Sequence, residues 1–511
     1  MNREILPFCH NHAGSNRKSQ GWLKATNLPA LQNQYDGGRE RPGIVGRDLS
    51  TASHTGEFKY MVTAVSASVA ATPAALSCDV LVIGGGPAGS TISALLARRG
   101  RKVVLIEKDR HPRFHIGESL LPMNVPLLER LGVLEQVKKI GLPKYGAEFN
   151  DAGKTLTWYF QDAMVKNRPN TYEVRRSEFD QLLFEHSRQQ GTHMHEGARV
   201  TEVEFRPGQS SRVTVRNATG DLQHWEATYI VDASGRDTFL PNRFGIKQRN
   251  PAHNSSAVFG HYAGVPRRAG KDEGNISIYW FEHGWYWMIP LKDGAMSVGA
   301  VCWPYYLKSR KKPVDEFLWD TLQLNPMVAE RMRGAKLLSP ALATGNFSYQ
   351  AEKMYGDGWL LVGDALAFID PVFSSGVYLA MNSAERGAQL VETMLQKGDV
   401  SVAGNRQLLR EHERTIRRGL KQFSWFIYRI TTPVMRKMFM NPRNAFRMEE
   451  AVLSLLSADV FDKTPIRFPL AVFKTIYWIA TIFTWRESFT AWRQRRRAWN
   501  SRLDYEWKSG A

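Results

Sequence analysis

Cysteine is scarce in this sequence of 511 residues, which contains only Cys9, Cys78 and Cys302. Three cysteines exclude a disulfide scaffold, and we expect a reducing, cytoplasmic compartment. The sequence also lacks a phosphate-binding P-loop and a Ser-nucleophile elbow. The close pair His193 and His195 is not part of a recognisable ligand pattern, so we predict no metal centre.

Acidic residues are also in the minority. Lys and Arg number 68 against 49 Asp and Glu, which gives a formal net charge of +19. This excess favours an acidic partner such as nucleic acid, an anionic membrane surface or an acidic carrier protein. Because no recognisable nucleic-acid-binding module accompanies the charge, we predict no nucleic-acid partner.

A dinucleotide-binding unit is predicted near residue 78. A strand at 78–83, a glycine-rich turn at 84–89, a helix at 90–99 and a second strand at 102–106 follow one another. Gly84 permits the turn, Gly86 lets a pyrophosphate approach the backbone, and Gly89 allows the helix to pack closely on the strand. Glu107 follows the second strand, where it can accept a hydrogen bond from the adenosine ribose.

Three further segments indicate which dinucleotide is bound. The apolar strand before Asp364 places a carboxylate where it suits the ribityl hydroxyls of a flavin. Segments 174–180 and 229–235 lie between the glycine-rich turn and Asp364 in the sequence. Together they resemble the landmarks of FAD enzymes with the para-hydroxybenzoate hydroxylase fold. The resemblance implies that the cofactor is FAD. No second GxGxxG indicates a separate nicotinamide site, so a separate flavin reductase is expected to supply reduced FAD. Binding of NADPH without a second fingerprint, as in monooxygenases of this fold, is the alternative.

The predicted fold is therefore an α/β, para-hydroxybenzoate hydroxylase-like FAD-binding fold. Strand-like segments at 257–261, 277–281, 285–289 and 297–302 predict an antiparallel sheet on the substrate side. The predicted order is a disordered leader (1–76), the first part of the FAD-binding domain (77–250), the substrate-side sheet (251–340), the second part of the FAD-binding domain (341–395) and a C-terminal helical region (396–511).

One motif is more specific. The run from Trp285 through Trp287 and Ile289 to Pro290 matches the pattern Trp-x-Trp-x-Ile-Pro at every fixed position. Over about residues 78–390 the chain resembles the flavin-dependent halogenases, which carry this pattern. In that family the motif is thought to make the flavin end of the cavity unsuited to direct monooxygenation. The resemblance thus makes these residues diagnostic, not catalytic.

The resemblance implies a catalytic role for Lys144, which follows a Gly-Glu-Ser-Leu-Leu-Pro segment as in family members. Such enzymes use reduced FAD, oxygen and chloride or bromide to make hypohalous acid. The lysine, placed between flavin and substrate, delivers the oxidant through a hydrogen bond or a haloamine. An ordinary solvated lysine is the alternative.

The resemblance also implies a halide site. Phe368, Pro371, Ser374 and Gly376 match the family pattern Phe-x-x-Pro-x-x-Ser-x-Gly, and the backbone N–H groups of Ser375 and Gly376 would bind the halide. A helix N-terminus capped by Ser374 or Ser375 is the alternative, and both can hold. The cofactor contacts implied by fingerprint and family are Gly84, Gly86, Pro87, Ala88, Gly89, Glu107, Lys108, Ser119, Arg176, Asp364 and Gly376.

Phe373 departs from the pattern of tryptophan halogenases, which carry a glutamate there to assist the reaction. A phenyl ring cannot accept a proton, so the resemblance favours an intrinsically activated phenol or pyrrole as substrate. Such a substrate can be a small molecule or be tethered to an acyl carrier protein. The positive net charge suits an acidic carrier.

The C-terminal tail has two interpretations. Residues 469–485 are apolar apart from Lys474, and the basic run 493–497 follows. The segment is either a helix in the interface of the inner membrane face, giving peripheral contact, or an ordinary helix over the active-site cavity. Alternative functions are an FAD-dependent monooxygenase, a prenyl-chain reductase of the same fold, and a non-enzymatic flavin-binding partner.

Overall fold

The computed structural model describes residues 76–164, 168–206, 208–250, 253–345, 348–462 and 464–500. These residues belong to one compact unit. Of the predicted leader, only Leu76 is among the described residues, and it begins the first strand.

The first elements form the predicted βαβ unit: β1 (Leu76–Ile83), α1 (Pro87–Ala97) and β2 (Val103–Glu107). Every residue of β2 is buried, as expected for an apolar strand covered on both faces. The chain continues with α2 (Asn124–Leu131), α3 (Leu134–Ile140), β3 (Leu142–Lys144), β4 (Gly146–Asp151), β5 (Lys154–Tyr159), β6 (Thr171–Glu173), α4 (Arg176–Gln189), β7 (His193–Glu196), β8 (Arg199–Glu204), β9 (Ser211–Arg216) and β10 (Leu222–Asp232).

The second half of the chain adds the remaining strands and most of the helices. They are α5 (Phe239–Arg243), β11 (Lys247–Arg249), β12 (Ser256–Ala263), β13 (Ile276–Phe281), β14 (Gly284–Pro290), β15 (Met296–Cys302), α6 (Pro304–Lys308), α7 (Val314–Gln323), α8 (Pro326–Arg331), β16 (Lys336–Leu337), β17 (Leu342–Gly345), β18 (Tyr349–Ala351), β19 (Tyr355–Gly356), β20 (Trp359–Leu361), β21 (Ala367–Phe368), α9 (Gly376–Gln396), α10 (Arg406–Ile427), α11 (Pro433–Met440), α12 (Met448–Leu456), α13 (Arg467–Phe483) and α14 (Trp485–Asn500).

The first sheet is built around β1. Its strand order is β19-β20-β10-β1-β2-β7, and β20, β10, β1, β2 and β7 pair in parallel. The antiparallel hairpin of β8 and β9 joins this sheet through β9, which pairs antiparallel with β10. Because parallel strands end at one edge, the residues that follow β1, β2, β10 and β20 meet there.

The second sheet has the order β16-β12-β15-β14-β13-β4-β5, with β17 also paired to β12. Its pairs are antiparallel except that β13 and β4 run parallel. It therefore takes β4 and β5 from inside the segment 77–250, which the sequence assigns wholly to the FAD-binding domain. Such a crossing depends on long-range pairing and leaves no local sequence signal.

The C-terminal helices cover the β4–β5 end of the second sheet. The indole Nε1 of Trp158 donates to the carbonyl oxygen of Phe439 on α11 at 3.2 Å, and α13 packs on α11 and α12. Within the described residues, no single helix is long and apolar enough to cross a membrane. The pair Arg467–Phe483 and Trp485–Gln494 meets that criterion only together, and it is bent by 94°.

Candidate active site

A cavity of about 740 Å³ is lined by residues of both large sheets and by the first turns of α1 and α9. The predicted site residues on its wall are Gly84, Gly86, Pro87, Ala88, Glu107, Lys108, Ser119, Arg176, Trp285, Trp287, Ile289, Asp364 and Gly376. The other predicted site residues are buried next to wall residues: Gly89, Lys144, Pro290 and Ser375. The structure thus brings together segments that are up to about 290 residues apart in the sequence.

The glycine-rich turn has the shape that a dinucleotide requires. Gly84 has a φ of +100°, and a Cβ at Gly89 would lie 1.8 Å from the carbonyl oxygen of Gly84. Gly86 is the N-cap of α1, and a Cβ there would come no nearer than 3.6 Å to the nearest described atom, an Arg113 guanidinium nitrogen. The space beside Gly86 and the free N–H groups of the helix N-terminus suit a pyrophosphate.

Glu107, the last residue of β2, stabilises this turn. Its carboxylate accepts hydrogen bonds from the backbone N–H of Gly85 at 2.6 Å and of Asp109 at 2.9 Å. Each carboxylate oxygen has a second lone pair, so the predicted contact with a ribose hydroxyl is sterically compatible with these bonds. Lys108 next to it forms an ion pair with Asp237.

Arg176 and Asp364 lie on the wall between the phosphate end and the second sheet. The Arg176 guanidinium binds the Asp180 carboxylate through two hydrogen bonds of 2.7 and 2.9 Å, which fixes its position. Burial raises the pKa of Asp364 to about 6, although Arg236 and Arg176 oppose the shift. A desolvated carboxyl gains when hydroxyl donors reach it, and the ribityl chain of a flavin has such donors.

The residues present fit FAD. Gly86 and Gly376 leave space on the cavity wall, and the N-terminus of α1 suits the diphosphate. The buried carboxyl group of Asp364 can accept hydrogen bonds from the ribityl hydroxyls. At the flavin end, Trp285, Trp287 and Ile289 point to the cavity, since alternate residues of a strand share a face. Pro290 is buried at the end of β14.

The segment before α9 makes a sharp turn at the cavity. Ser374 has a left-handed backbone with a φ of 55°, and Ser375 is the N-cap of α9. Among the described residues Ser375 occupies the N-cap position, but its side chain makes no capping hydrogen bond. The first N–H groups of α9 lack intrahelical acceptors, and Gly376 and Val377 line the cavity.

Lys144 lies behind Ser119 and is only 1% exposed. Its Nζ donates to the Ser119 hydroxyl at 2.7 Å and to the Leu120 carbonyl at 3.2 Å, and it lies 5.5 Å from the centre of the Phe160 ring. Ser119 itself is on the cavity wall. The alternative interpretation, an ordinary solvated lysine, is therefore wrong, because Lys144 is enclosed by protein.

Glu173 completes this cluster, although no motif in the sequence marks it. Its Oε1 accepts a hydrogen bond from the Ser119 hydroxyl at 3.1 Å and lies 3.7 Å from the Lys144 Nζ. Burial lowers the pKa of Lys144 and raises the pKa of Glu173 to about 7. Both shifts favour a neutral amine, which has the lone pair that reaction with an electrophilic halogen needs. The pairing of β3 with β6 creates this contact.

The chain is similar to known flavin-dependent enzymes. The FAD binding domain family matches residues 77–400. The chain is 30% identical over 414 residues to the 1H-pyrrole-2-carbonyl-[peptidyl-carrier protein] chlorinase of Pseudomonas fluorescens, covering 75% of this chain and 90% of that protein. It is 35% identical over 336 residues to the tryptophan 2-halogenase of Chondromyces crocatus, covering 64% and 63%.

Solved structures agree with the sequence comparisons. A flavoprotein/dehydrogenase from Cytophaga hutchinsonii matches 80% of this chain and 100% of its own, with 30% identity and a TM-score of 0.73. The myxobacterial chondrochloren halogenase CndH, described as an FAD-dependent halogenase, matches 78% and 90%, with 30% identity and a TM-score of 0.66. The chain is thus an FAD-dependent enzyme with a halide co-substrate, and it belongs to the flavin-dependent halogenases of the FAD binding domain family, with the para-hydroxybenzoate hydroxylase-like fold.

Proposed function

We propose that the enzyme halogenates an electron-rich aromatic ring, a phenol or a pyrrole, and that Lys144 delivers the halogen. The observation that carries the proposal is the position of Lys144, which is buried and bonded to Ser119 on the wall of the FAD cavity. A hypohalous acid bound at Ser119 would be one hydrogen bond away from the Lys144 nitrogen.

The bound flavin supplies the oxidising power, since reduced FAD with oxygen and a halide gives hypohalous acid. The residues of the chain then hold and transfer the halogen. Backbone N–H groups at Ser375 and Gly376 bind the halide, and the hydroxyl of Ser119 guides the acid. The neutral Lys144 amine attacks the halogen, the oxygen–halogen bond breaks, and water and a haloamine result. Glu173 accepts the proton that the Lys144 ammonium must lose first, through Ser119.

Phe373 supports the substrate class. Its buried ring lies parallel to Phe439 at 6.2 Å between centroids, and Phe439 in turn contacts Phe149 and Trp158. This apolar group offers no base to remove the ring proton, so the substrate ring must be activated by its own oxygen or nitrogen. A phenol or pyrrole meets that condition.

A carrier-bound substrate is the form we favour. Two relatives are named as a chlorinase and a brominase of pyrrole-2-carbonyl groups on a peptidyl-carrier protein, and the net charge of +19 suits an acidic carrier. Because one relative is a tryptophan halogenase, free tryptophan is the competing substrate to test. We further propose that a separate flavin reductase supplies reduced FAD in a reducing, cytoplasmic compartment.

The experiment begins with halide oxidation, which needs no natural substrate. Purified protein receives reduced FAD from an unrelated reductase, oxygen, bromide and catalase, and a chemical trap detects hypobromous acid. Halide-free and enzyme-free reactions are the controls. Simple phenols, a pyrrole-2-carbonyl thioester of phosphopantetheine and free tryptophan are then offered in turn, and mass spectrometry detects the products.

Trap bromination above the enzyme-free control, with halogenated phenol or pyrrole product, is the expected result. Halogenation of tryptophan alone would overturn the substrate class and leave the halide chemistry intact. Halide-independent hydroxylation of phenols would overturn the whole proposal and establish a monooxygenase.

A further inference from the structure

Helix α13 has two apolar sides, and only one is buried. Pro469, Leu470, Phe473 and Tyr477 face the protein, where α13 packs on α11 and α12. The opposite side carries large apolar side chains exposed to solvent, with Phe483 at 84%. Together with those of α14 they form what we call the outer face: Phe468, Trp478, Ile479, Ile482, Phe483, Trp485, Phe489 and Trp492.

The first part of α14 continues this surface after a sharp bend of 94° at Thr484. Trp485, Phe489 and Trp492 recur at helical spacing on one side, and the rings of Phe489 and Trp492 stack at 5.7 Å. Helix α14 contacts α11, where Lys437 forms an ion pair of 2.7 Å with Glu487.

Basic side chains accompany the exposed rings. The guanidinium groups of Arg486, Arg493 and Arg496 lie 5.5, 5.5 and 5.1 Å from the ring centres of tryptophan or phenylalanine neighbours on α14. Glu487 is the one acidic residue in the sequence of α13 and α14, and Lys437 neutralises it. The surface consequently combines apolar side chains with uncompensated positive charge.

We propose that the outer face binds the surface of an anionic phospholipid bilayer. Tryptophan and phenylalanine beside arginine suit the headgroup region, where rings enter the acyl boundary and cations contact phosphates. Both helices then lie on the bilayer surface. The exposed side of α13 contacts the lipid, and its buried side packs on the rest of the protein. This contact is a peripheral one.

The positive charges favour lipid over two other partners that an apolar face can bind, a second copy of the chain and an acidic carrier protein. In a symmetric dimer the same patch meets itself, which brings Arg486, Arg493 and Arg496 against their copies. An acidic carrier protein would complement the arginines, but it would have to cover Phe483, Ile482 and the tryptophans as well, and strongly apolar interfaces are typical of permanent complexes. An anionic bilayer complements both the apolar side chains and the positive charges of the outer face.

Vesicle flotation of the full-length, flavin-loaded protein tests the proposal. The vesicles contain either phosphatidylcholine alone or an equimolar mixture with phosphatidylglycerol. The first variant is the double substitution Ile482→Asp with Phe483→Asp, and the second replaces Arg486, Arg493 and Arg496 by Gln. Leu338→Asp is the matched control, because Leu338 is 54% exposed and lies on the distant β16–β17 connection.

The native protein should float with the mixed vesicles at least roughly tenfold better than with neutral ones. The aspartate pair should abolish flotation, the arginine variant should lose about 100-fold in affinity for anionic vesicles, and Leu338→Asp should behave as native. FAD content and thermal unfolding of each variant show whether it is folded. No readout depends on halogenation, so failure here leaves the proposed function untouched.

Three results would overturn the proposal: no flotation of the native protein, equal flotation of the aspartate pair, or equal binding to neutral and anionic vesicles. Sedimentation velocity is measured in parallel. A dimer that dissociates in the aspartate pair, without vesicle binding, would assign the outer face to a second copy of the chain instead.

Discussion

The amine nitrogen of Lys144 lies 3.7 Å from the carboxylate of Glu173, and the two side chains are 1% and 0% exposed. The Ser119 hydroxyl joins them, accepting from Lys144 at 2.7 Å and donating to Glu173 at 3.1 Å. A buried acid and base connected by a hydroxyl can exchange a proton without solvent. The protonation of Lys144, and hence its reactivity toward an electrophilic halogen, depends on Glu173.

Glu173→Gln should move the acidic limb of the pH–rate profile to lower pH. In the native protein the carboxylate favours the ammonium form, which counteracts the lowering of the Lys144 pKa by burial. Without that negative charge the pKa of Lys144 falls further, and the neutral amine persists to a lower pH. We expect the acidic limb to move by about 1–3 pH units. The maximal rate should change little, because Lys144 is already neutral on the plateau of the profile in both proteins.

The measurement is the steady-state rate of phenol bromination across the pH range in which the protein stays folded. Glu148→Gln is the matched control, since Glu148 is also buried but pairs with Arg268. An acidic limb that does not move in Glu173→Gln, or that moves equally in Glu148→Gln, would contradict the role assigned to Glu173.

Lys144→Met should abolish halogenation while leaving FAD bound. Methionine keeps the apolar stem but has neither an N–H donor nor an amine lone pair, so we expect the halogenation rate to drop by about 10³-fold. Reoxidation of reduced FAD should continue at the native rate, because Lys144 lies behind the cavity wall. Product formation is measured by mass spectrometry and flavin oxidation by absorbance.

Lys139→Met, on the surface helix α3, is the control for loss of positive charge. If Lys144→Met still halogenates at a rate near that of the control, delivery by this lysine is ruled out.

The sequence predicts the parts of this site that depend on local pattern. Gly84 and Asp364 come after buried parallel strands and Glu107 ends another, and such strands end at one edge of a sheet, so their convergence follows from the strand pattern. The alternation of Trp285, Trp287 and Ile289 likewise determines which side chains share a face.

Features that arise from non-local pairing could not be predicted in this way. Glu173 reaches Lys144 only because β3 pairs with β6, two strands of three residues each whose pairing has no sequence signature. The crossing of β4 into the second sheet is of the same kind. The tail differs again: its apolar composition is visible in the sequence, but only packing shows which side of α13 is covered.

Gly86→Val and Gly89→Val should fail for different reasons. Gly86 has a φ of −73°, and a Cβ there meets its nearest described neighbour at 3.6 Å, so a valine fits the protein but blocks the pyrophosphate. A Cβ at Gly89 lies 1.8 Å from a backbone oxygen, so a valine there disrupts the packing of α1 on β1. We therefore expect Gly86→Val to be folded and free of flavin, and Gly89→Val to be unfolded or insoluble.

Circular dichroism and flavin absorbance of the purified variants separate these outcomes, with Gly86→Ala as an intermediate that should retain FAD weakly. Gly86→Val purified with a full complement of flavin would show that the pyrophosphate does not lie against this residue.

Asp364→Asn should stabilise the flavin-free protein and weaken FAD binding. The pKa of Asp364 is raised from 3.8 to about 6 in the folded state, so the acid form is favoured there and the stability it contributes is lost as the pH rises through about 6. A shift of this size corresponds to about 3 kcal/mol at alkaline pH. Asparagine carries no charge to desolvate, so the variant should unfold at a higher temperature than the native protein above about pH 6 and at a similar temperature below about pH 4.

The same substitution removes a charged acceptor for the ribityl hydroxyls, so FAD affinity should fall roughly tenfold or more. Thermal unfolding of the flavin-free protein and titration with FAD give the two quantities independently. A gain in stability without loss of affinity would place the ribityl chain elsewhere, whereas a loss of affinity without the pH-dependent gain would mean that Asp364 is better solvated than the cavity suggests. Opposite changes in the two measurements are expected because the carboxylate is costly to bury until hydroxyl donors reach it.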